Sequence, residues 1–208
     1  MFLPFPSFDE QRAIARVLGV LDDKIELNRR MNRTLEDLAR AMFKSWFVDF
    51  DPVIAKAAGK KPVGMSAQTA ALFPDRFQDS PLGPIPKGWR LGSIDSLCSL
   101  HRDQLDPAES PGEPFAHFSI PAFDNGREAV TEMGSAIKSG KLVIPDGSVM
   151  LSKLNPHVPR VWLPDDSIRR RRIASTEFLV CLPRCGITRS YLYEQFAAAP
   201  SWPTWQRW

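Results

Sequence analysis

The sequence lacks any apolar run long enough to cross a membrane, which takes about 20 consecutive apolar residues. Met1 leads into FLPFPS without a basic segment or a sustained apolar run, so we expect no secretion signal. Cysteine is scarce: Cys98, Cys181 and Cys185 are an odd set, and CLPRC has no histidine or further cysteine nearby at zinc spacing. We therefore expect reduced thiols in the cytoplasm rather than a disulfide framework or a zinc site.

Proline is also absent between Pro6 and Pro52, although the chain contains 19 prolines. This absence predicts one long helix within residues 1–50, ended by Pro52. Ser7 and Glu10 fit the S-x-x-E capping box that marks a helix start. At about 1.5 Å per residue the helix would span roughly 60 Å, more than a domain of this size needs for its own core. We therefore interpret it as a spacer or as a partner for another helix.

Apolar residues recur along this helix in two series with a spacing of seven residues, which predicts a coiled-coil seam. Asn28 and Asn32 would weaken the seam and fix its register, because a buried amide needs another polar group opposite it. An amphipathic helix lying on its own domain is the alternative, but the heptads continue and the outer face is heavily charged. The predicted seam residues are Ile14, Leu18, Leu21, Ile25, Asn28, Asn32, Leu35, Ala39, Met42 and Trp46.

Basic charge is concentrated in one part of the chain, although the net charge of +3 is small. Residues 134–190 contain ten lysines and arginines against four acidic residues, a local charge of +6. Residues 81–133 contain four basic and eight acidic residues, a local charge of −4. The basic stretch suits a polyanionic partner, and a whole-chain average conceals it.

Composition also divides the chain after the helix. Residues 51–80 are rich in Gly, Pro, Ala and Lys and are interpreted as a linker. Residues 81–200 contain short strand-forming runs between turn signals such as PDGS, and end in a helix at SYLYEQFAAA. Residues 201–208 form an atypical tail. The predicted class is α+β, with one long coiled-coil-type helix followed by a mixed α/β domain rich in short strands. The predicted strands lie in PFAHFSI, KLVI, SVMLSKL, RVWL and EFLVCL.

Several segments together carry a resemblance to a known family. The helix and linker contribute LPFPSFDEQRAIARVL, LNRRMNRTLEDLARAMFKSWFVDFDPV and LFPDRFQDSPLGPIPKGWR, and the second half contributes SKLNPHVPRVWLP and ASTEFLVCLPR. In these segments, over about residues 3–199, the sequence resembles the DNA-specificity subunits of type I restriction–modification systems.

The resemblance implies a non-catalytic subunit that binds double-stranded DNA and needs no cofactor. Family members usually hold two target-recognition domains, each reading half of a bipartite target, and two long helices packed antiparallel between them. Methylation subunits dock on the helices, and restriction subunits join them. By this comparison we expect a truncated member, with the central helix and a partial target-recognition domain at residues 81–200. A helix without its partner is then expected to self-associate or to be bound by methylation subunits.

Basic and amide side chains of the second half are the candidates for DNA contact. Lysine and arginine can neutralise phosphates, and an asparagine can bond an adenine edge through two hydrogen bonds. The predicted DNA-binding residues are Lys138, Lys141, Lys153, Asn155, Arg160, Arg169, Arg170, Arg171 and Arg172.

Simpler interpretations exist for several of these positions. The arginine run at 169–172 could be a solvated loop without a role, and Asn155 before Pro156 could shape the loop through an Asx-turn. We interpret His157 as a surface or structural residue and the aromatic stretch FAHF as core rather than as a stacking platform.

Two short motifs are weak signals of catalysis. LNPH resembles the loop of adenine methyltransferases but lacks its second proline and its aromatic residue, and no glycine-rich turn precedes it. PDDSIRRRRIASTEF offers the acidic residues of a nuclease pattern, but Leu179 stands where a lysine would follow Glu177. We therefore predict a binding subunit, with two alternatives: a scaffold that no longer recognises DNA, or a stand-alone nuclease or methyltransferase.

Overall fold

The computed structural model describes residues 4–155 and 160–198. The described chain divides into two compact units, with the boundary between Met42 and Phe43. The first unit is helical, and the second contains the remaining helices and all of the strands. None of the helices in these ranges combines the length and the apolar character needed to cross a membrane.

The long helix, α1, spans Phe8–Phe43 and begins as predicted. The Ser7 backbone nitrogen donates to the Glu10 carboxylate at 2.8 Å, and the Glu10 backbone nitrogen donates to Ser7 Oγ at 3.4 Å, which confirms the capping box. Along the helix, Glu26 accepts from Arg30 at 2.9 Å and from Arg33 at 3.4 Å. These pairs place charge on the solvated surface of α1, where ion pairs contribute little to stability.

The predicted seam residues of α1 are exposed in the single chain. Among its large apolar members the exposed fraction runs from 38% at Met42 to 56% at Leu35, and Asn28, Asn32 and Ala39 are exposed as well. An exposed apolar stripe of this length is typical of an interaction surface.

The end of the long helix differs from the prediction. Residues Lys44–Val48 form a π-helical turn, and the helical path ends at Phe50, whose φ of 59° is left-handed. Pro52 does not end this helix, because it lies in the first turn of the next one, α2 (Asp51–Ala57), where its missing N–H is not needed. The extra residue of the π-turn breaks the seven-residue spacing, so Trp46 leaves the predicted seam and contacts Phe73, with ring centroids 6.1 Å apart.

The stretch interpreted as a linker, 51–80, contains two short helices and one strand. After α2 it contains α3 (Ala67–Ala71), capped by Ser66, whose hydroxyl accepts from the Thr69 nitrogen at 3.1 Å. Lys56 Nζ donates to the Ala70 carbonyl at 3.1 Å and also to that of Phe73. Strand β1 (Phe77–Gln78) then pairs antiparallel with β2 (Ile85–Pro86).

An aromatic cluster joins this stretch to the π-helical turn and to the last helix. Phe47 is at its centre, with ring centroids 6.0 Å from Phe73, 6.0 Å from Trp89 and 5.8 Å from Tyr191. Further rings extend the cluster on either side: Phe43, Trp46, Phe50 and Phe77. Because aromatic pairs contribute about 0.5–1.5 kcal/mol each beyond their buried area, the cluster fixes the end of the helical segment to the folded domain.

Two sheets form the remainder of the second unit. The five-stranded sheet has the order β4-β7-β10-β5-β6, with β10 parallel to β5 and its other pairs antiparallel. The four-stranded sheet has the antiparallel order β3-β11-β8-β9. The strands are β3 (Cys98–His101), β4 (Gln104–Leu105), β5 (Pro114–Phe118), β6 (Val130–Met133), β7 (Lys141–Val143), β8 (Val149–Ser152), β9 (Val161–Trp162), β10 (Arg172–Ala174) and β11 (Phe178–Pro183).

Short helices complete the domain. The helices are α4 (Ile94–Leu97), α5 (Ile120–Asp124), α6 (Arg189–Ala198) and two 3₁₀ turns at Pro107–Glu109 and Gly134–Ala136. The glycine of the predicted PDGS turn, Gly147, has a φ of 75°, which confirms the turn. The predicted α+β class, with one long helix and a sheet-rich domain, is also confirmed.

Alternation along β8 builds the core on both faces of the four-stranded sheet. Met150 is buried in the cluster between the two sheets, with Phe118, Trp162 and Phe178. Its neighbours Val149 and Leu151 point to the opposite face. That second cluster is covered by α6 through Leu192 and Phe196. Phe115 and Phe118 are both buried, so the interpretation of FAHF as core is confirmed.

Candidate nucleic-acid interface

The register of β10 separates the predicted DNA-binding residues into two groups. Arg172 is the first residue of β10. Beyond the other end of β10, the Glu177 carbonyl accepts from the backbone nitrogen of Lys153 at 2.8 Å. Lys141 begins β7, which runs antiparallel to β10, and therefore lies toward the Lys153 end. We call Arg169, Arg170, Arg171 and Arg172 the arginine edge, and Lys138, Lys141, Lys153, Asn155 and Arg160 the lysine edge.

Arg172 is a structural residue of the arginine edge. Its side chain is only 5% exposed and its Nη1 donates to Asp166 at 2.6 Å and to the Asp165 carbonyl at 3.1 Å. Its Nη2 pairs with Asp146. Arg189 Nη1 adds a second bond to Asp166, at 3.0 Å. A guanidinium satisfied in this way is held inside the fold and is not available to a phosphate.

Partial burial and hydrogen bonding act in opposite directions on Asp166. Burial raises the pKa of its carboxyl, but the Arg172 side chain and the Gly147 backbone N–H donate to the charged form, and the net result is a lowered pKa. The charged carboxylate of Asp166 therefore connects the loop before β8 to the loop before β10 through these hydrogen bonds.

The other arginines of the run differ from Arg172 in exposure. Arg171 Nη1 pairs with Glu113 at 3.2 Å, and its guanidinium lies 5.4 Å from the centroid of the Phe115 ring. Arg169 and Arg170 are exposed and have no ion pair within residues 4–155 and 160–198. The structure thus divides a run of four identical residues into buried Arg172, exposed Arg171 with a surface partner, and exposed Arg169 and Arg170.

Two residues of the lysine edge also have local partners. Lys141 is buried, and its Nζ donates to the Ser139 carbonyl at 3.3 Å and to Ser139 Oγ at 2.5 Å. Arg160 forms a two-bond pair with Asp124, from Nε at 2.7 Å and from Nη2 at 3.0 Å. The hydrogen bond from Arg160 lowers the pKa of the Asp124 carboxyl. Both cations are therefore engaged in contacts within the domain.

Lys138 and Lys153 are the lysine-edge cations that remain exposed without an ion pair in the described part of the chain. Asn155 is also exposed and has a left-handed φ of 50°. The turn before it is shaped by Ser152, whose Oγ accepts from the Leu154 nitrogen at 3.0 Å. Residues 156–159, with His157 and the proline of the proposed Asx-turn, lie outside the described residues, as do residues 199–208, which include the tail.

The fold brings further polar side chains to Lys153 that sequence analysis missed. A cleft of about 280 Å³ beside Lys153 is also lined by His101, Arg102, Gln104 and Thr176. Arg102 lies in a stretch whose net charge is negative, and only the pairing of β3 with β11 brings it to this cleft. No local sequence signal marks Arg102 as a residue of this cleft.

The weak nuclease signal is not assembled by the fold. Asp165 and Asp166 lie at the Arg172 end of β10, whereas Glu177 follows its other end. Within residues 4–155 and 160–198, no group of three or more His, Cys, Asp or Glu side chains is placed to hold a metal ion.

A long helix with an exposed apolar stripe and a separate sheet-rich domain is the combination predicted for the family of type I restriction specificity subunits. Over the stretches that match, the chain is similar to proteins named as specificity subunits of type I restriction enzymes. No family model matches the chain.

Two relatives and one solved structure illustrate the similarity. The chain is 53% identical over 70 residues to the type I restriction enzyme HindI specificity subunit of Haemophilus influenzae, a match covering 34% of this chain and 15% of that protein. It is 48% identical over 95 residues to the MjaIX specificity subunit of Methanocaldococcus jannaschii, covering 44% and 18%. The crystal structure of the HsdS subunit from Thermoanaerobacter tengcongensis aligns with 55% of this chain and 30% of that chain, with 22% identity and a TM-score of 0.47. The matches therefore span less than a fifth of the curated relatives' length.

Proposed function

We propose that this chain is a non-catalytic DNA-binding module of a type I restriction–modification system. Its sheet-rich domain binds duplex DNA and reads half of a bipartite target, in the cytoplasm. The observation that carries the proposal is the identity of 53% and 48% to proteins named as specificity subunits. The buried core of the domain supports a folded recognition unit rather than a remnant.

The distribution of accessible cations supports the choice of the domain as the DNA-binding part. Lys138, Lys153, Arg169 and Arg170 are exposed and have no ion pair within the described ranges. Free cations on a folded surface are the groups that release counterions from DNA and so generate affinity.

The long helix is proposed as the docking element. Its 36 residues correspond to about 54 Å at 1.5 Å per residue. The exposed stripe from Ile14 to Met42 is suited to a second helix of the same kind, supplied by another segment or by another copy of this chain. Methylation subunits, and through them restriction subunits, are the proposed partners of the assembled helices.

The exposed stripe also favours one alternative, in which the chain acts only as a scaffold through α1 and does not recognise DNA. The two functions differ in one measurable property, the binding of DNA by the chain alone.

Fluorescence anisotropy of a labelled duplex, titrated with the purified chain at low salt, tests the proposal. With four phosphate contacts from the exposed cations, log affinity should fall against log salt with a slope of roughly −3 to −4. Sequence preference should be small, because most contacts to a bipartite site are absent from one domain. Circular dichroism on the same sample provides the control. A folded chain that does not bind at low salt contradicts the DNA-binding proposal and leaves the scaffold function.

A further inference from the structure

The cleft at the lysine edge is formed by three turns that are distant in sequence. His101 and Arg102 come from the turn between β3 and β4, Lys153 follows β8, and Thr176 lies in the turn between β10 and β11. Its apolar wall includes Leu100, Leu142 and Leu179. At about 280 Å³ the cleft is slightly smaller than the roughly 300–1,000 Å³ of typical small-molecule pockets. Its size therefore suits one small group of a larger ligand.

His101 forms part of the cleft wall. Its Nε2 is buried and makes no hydrogen bond within the described residues, and its nearest recorded partner is the Asp103 carboxylate oxygen at 3.6 Å. Because this atom is closed off from solvent, the groups of the cleft that a ligand can reach are the exposed cations.

The charged groups of the cleft indicate which ligand suits it. Arg102 and Lys153 are both exposed at the cleft, and neither has an ion pair in the part of the chain that the structure describes. Two cations beside a space for a small group are the complement of a phosphate. The apolar wall strengthens these interactions, because it lowers the local dielectric constant.

We propose that this cleft is a phosphate-binding subsite for the DNA backbone, formed by Arg102 and Lys153. The inference rests on the proposed DNA-binding function and assigns it to one edge of the domain. Gln104, whose side chain lines the same cleft, is placed to bond a base edge next to the bound phosphate.

Asp103 acts against this subsite. Its side chain is 81% exposed and adds negative charge next to His101. An anionic ligand is repelled by this carboxylate, although solvent and salt screen the repulsion. The Asp103→Asn variant should therefore bind duplex DNA about twofold more tightly at low salt. Removing a basic residue of the subsite should instead weaken the binding.

The test compares salt slopes of duplex binding for the full chain and its variants by fluorescence anisotropy. Arg102→Ala with Lys153→Ala should flatten the slope by about two, because two phosphate contacts are lost. Arg102→Lys should retain the wild-type slope, since it keeps the charge. The matched control is Arg90→Ala, which removes an exposed arginine away from the cleft and should leave the slope unchanged. Circular dichroism verifies the fold of each variant.

A second arm separates backbone phosphate from free phosphate. Inorganic phosphate, added at ionic strength matched with chloride, should weaken DNA binding of the wild type only slightly if the subsite needs an adjacent base or sugar. Saturating phosphate that binds at Arg102 and Lys153 but leaves the DNA affinity of the wild type unchanged would show an anion site that DNA does not use, and would overturn the assignment to DNA.

The outcomes distinguish this inference from the proposed function. Wild-type binding with an unchanged slope in the Arg102→Ala, Lys153→Ala variant overturns the subsite and leaves DNA binding intact. If the slope is flattened only in the Arg169→Ala, Arg170→Ala variant, the phosphate contacts lie at the arginine edge. This result also overturns the subsite and leaves DNA binding intact. If the folded wild type does not bind duplex DNA, the proposed function and the subsite are both rejected.

Discussion

Replacing Arg172 by alanine should lower the free energy of unfolding of the domain, whereas replacing Arg169 and Arg170 together should leave it almost unchanged. The Arg172 guanidinium is buried and bonds Asp166, Asp146 and a backbone carbonyl. Removing one partner of a buried ion pair typically costs about 3–5 kcal/mol. The carboxylate of Asp146 is exposed and that of Asp166 keeps Arg189, so neither is left buried and alone. We therefore expect a loss of about 2–4 kcal/mol in the free energy of unfolding.

The assay is urea unfolding followed by tryptophan fluorescence, which reports on Trp162 in the core between the sheets. Arg169→Ala with Arg170→Ala is the matched control, because both side chains are exposed and surface substitutions usually stay within about 0.5 kcal/mol. Equal stability of the two variants would refute the division of the run into structural and solvent-facing arginines. A control variant that unfolds more easily than Arg172→Ala would refute it as well.

Three further predictions concern other parts of the chain. Phe47→Ala should lower the free energy of unfolding by about 2–4 kcal/mol, because it removes the central ring of the aromatic cluster, while Leu72→Ala, at a side chain 80% exposed, should not. Urea unfolding decides this, and a loss below about 0.5 kcal/mol would mean that the cluster does not fix the helix end. Asn28→Leu with Asn32→Leu should stabilise the pairing of the helices in thermal unfolding and should make the number of associated chains in sedimentation less uniform. Lower stability with an unchanged oligomeric state would show that the predicted heptad register of the seam is wrong. Because the pKa of Asp166 is lowered in the folded state, the stability it contributes is full at neutral pH and is lost as pH falls through its ordinary value of 3.8 and below. Asp166→Asn should therefore lose less stability than the wild type between about pH 5 and pH 3, and parallel losses would contradict the linkage.

The local elements of the fold could be predicted from the sequence because their signals are short-range. The capping box at Ser7 and Glu10 is formed within one helical turn, and the glycine of PDGS meets the φ requirement of its own turn. By contrast, the π-turn before Phe50 shifted the true end of the helix. That end depends on the packing of Phe47 against Trp89, which lies 42 residues further along the chain. Proline spacing alone could not reveal this contact.

The candidate site was predictable by charge but not by arrangement. Arg169 and Arg172 look alike in the sequence, and only the loops carrying Asp146 and Asp166 decide which of them is buried. Arg102 belongs to an acidic stretch, and strand pairing brings it to Lys153. Long-range register therefore determines which cations remain free, and a single sequence contains no local signal for it.

Hydrogen–deuterium exchange of the full chain with and without a duplex at low salt tests the central claim most directly. If the sheet-rich domain is the DNA-binding part, the duplex should slow exchange in the turns around 100–104 and 152–155, and exchange along α1 should stay unchanged. Protection confined to α1, or no protection anywhere in a chain that circular dichroism shows to be folded, would contradict the assignment of DNA recognition to this domain.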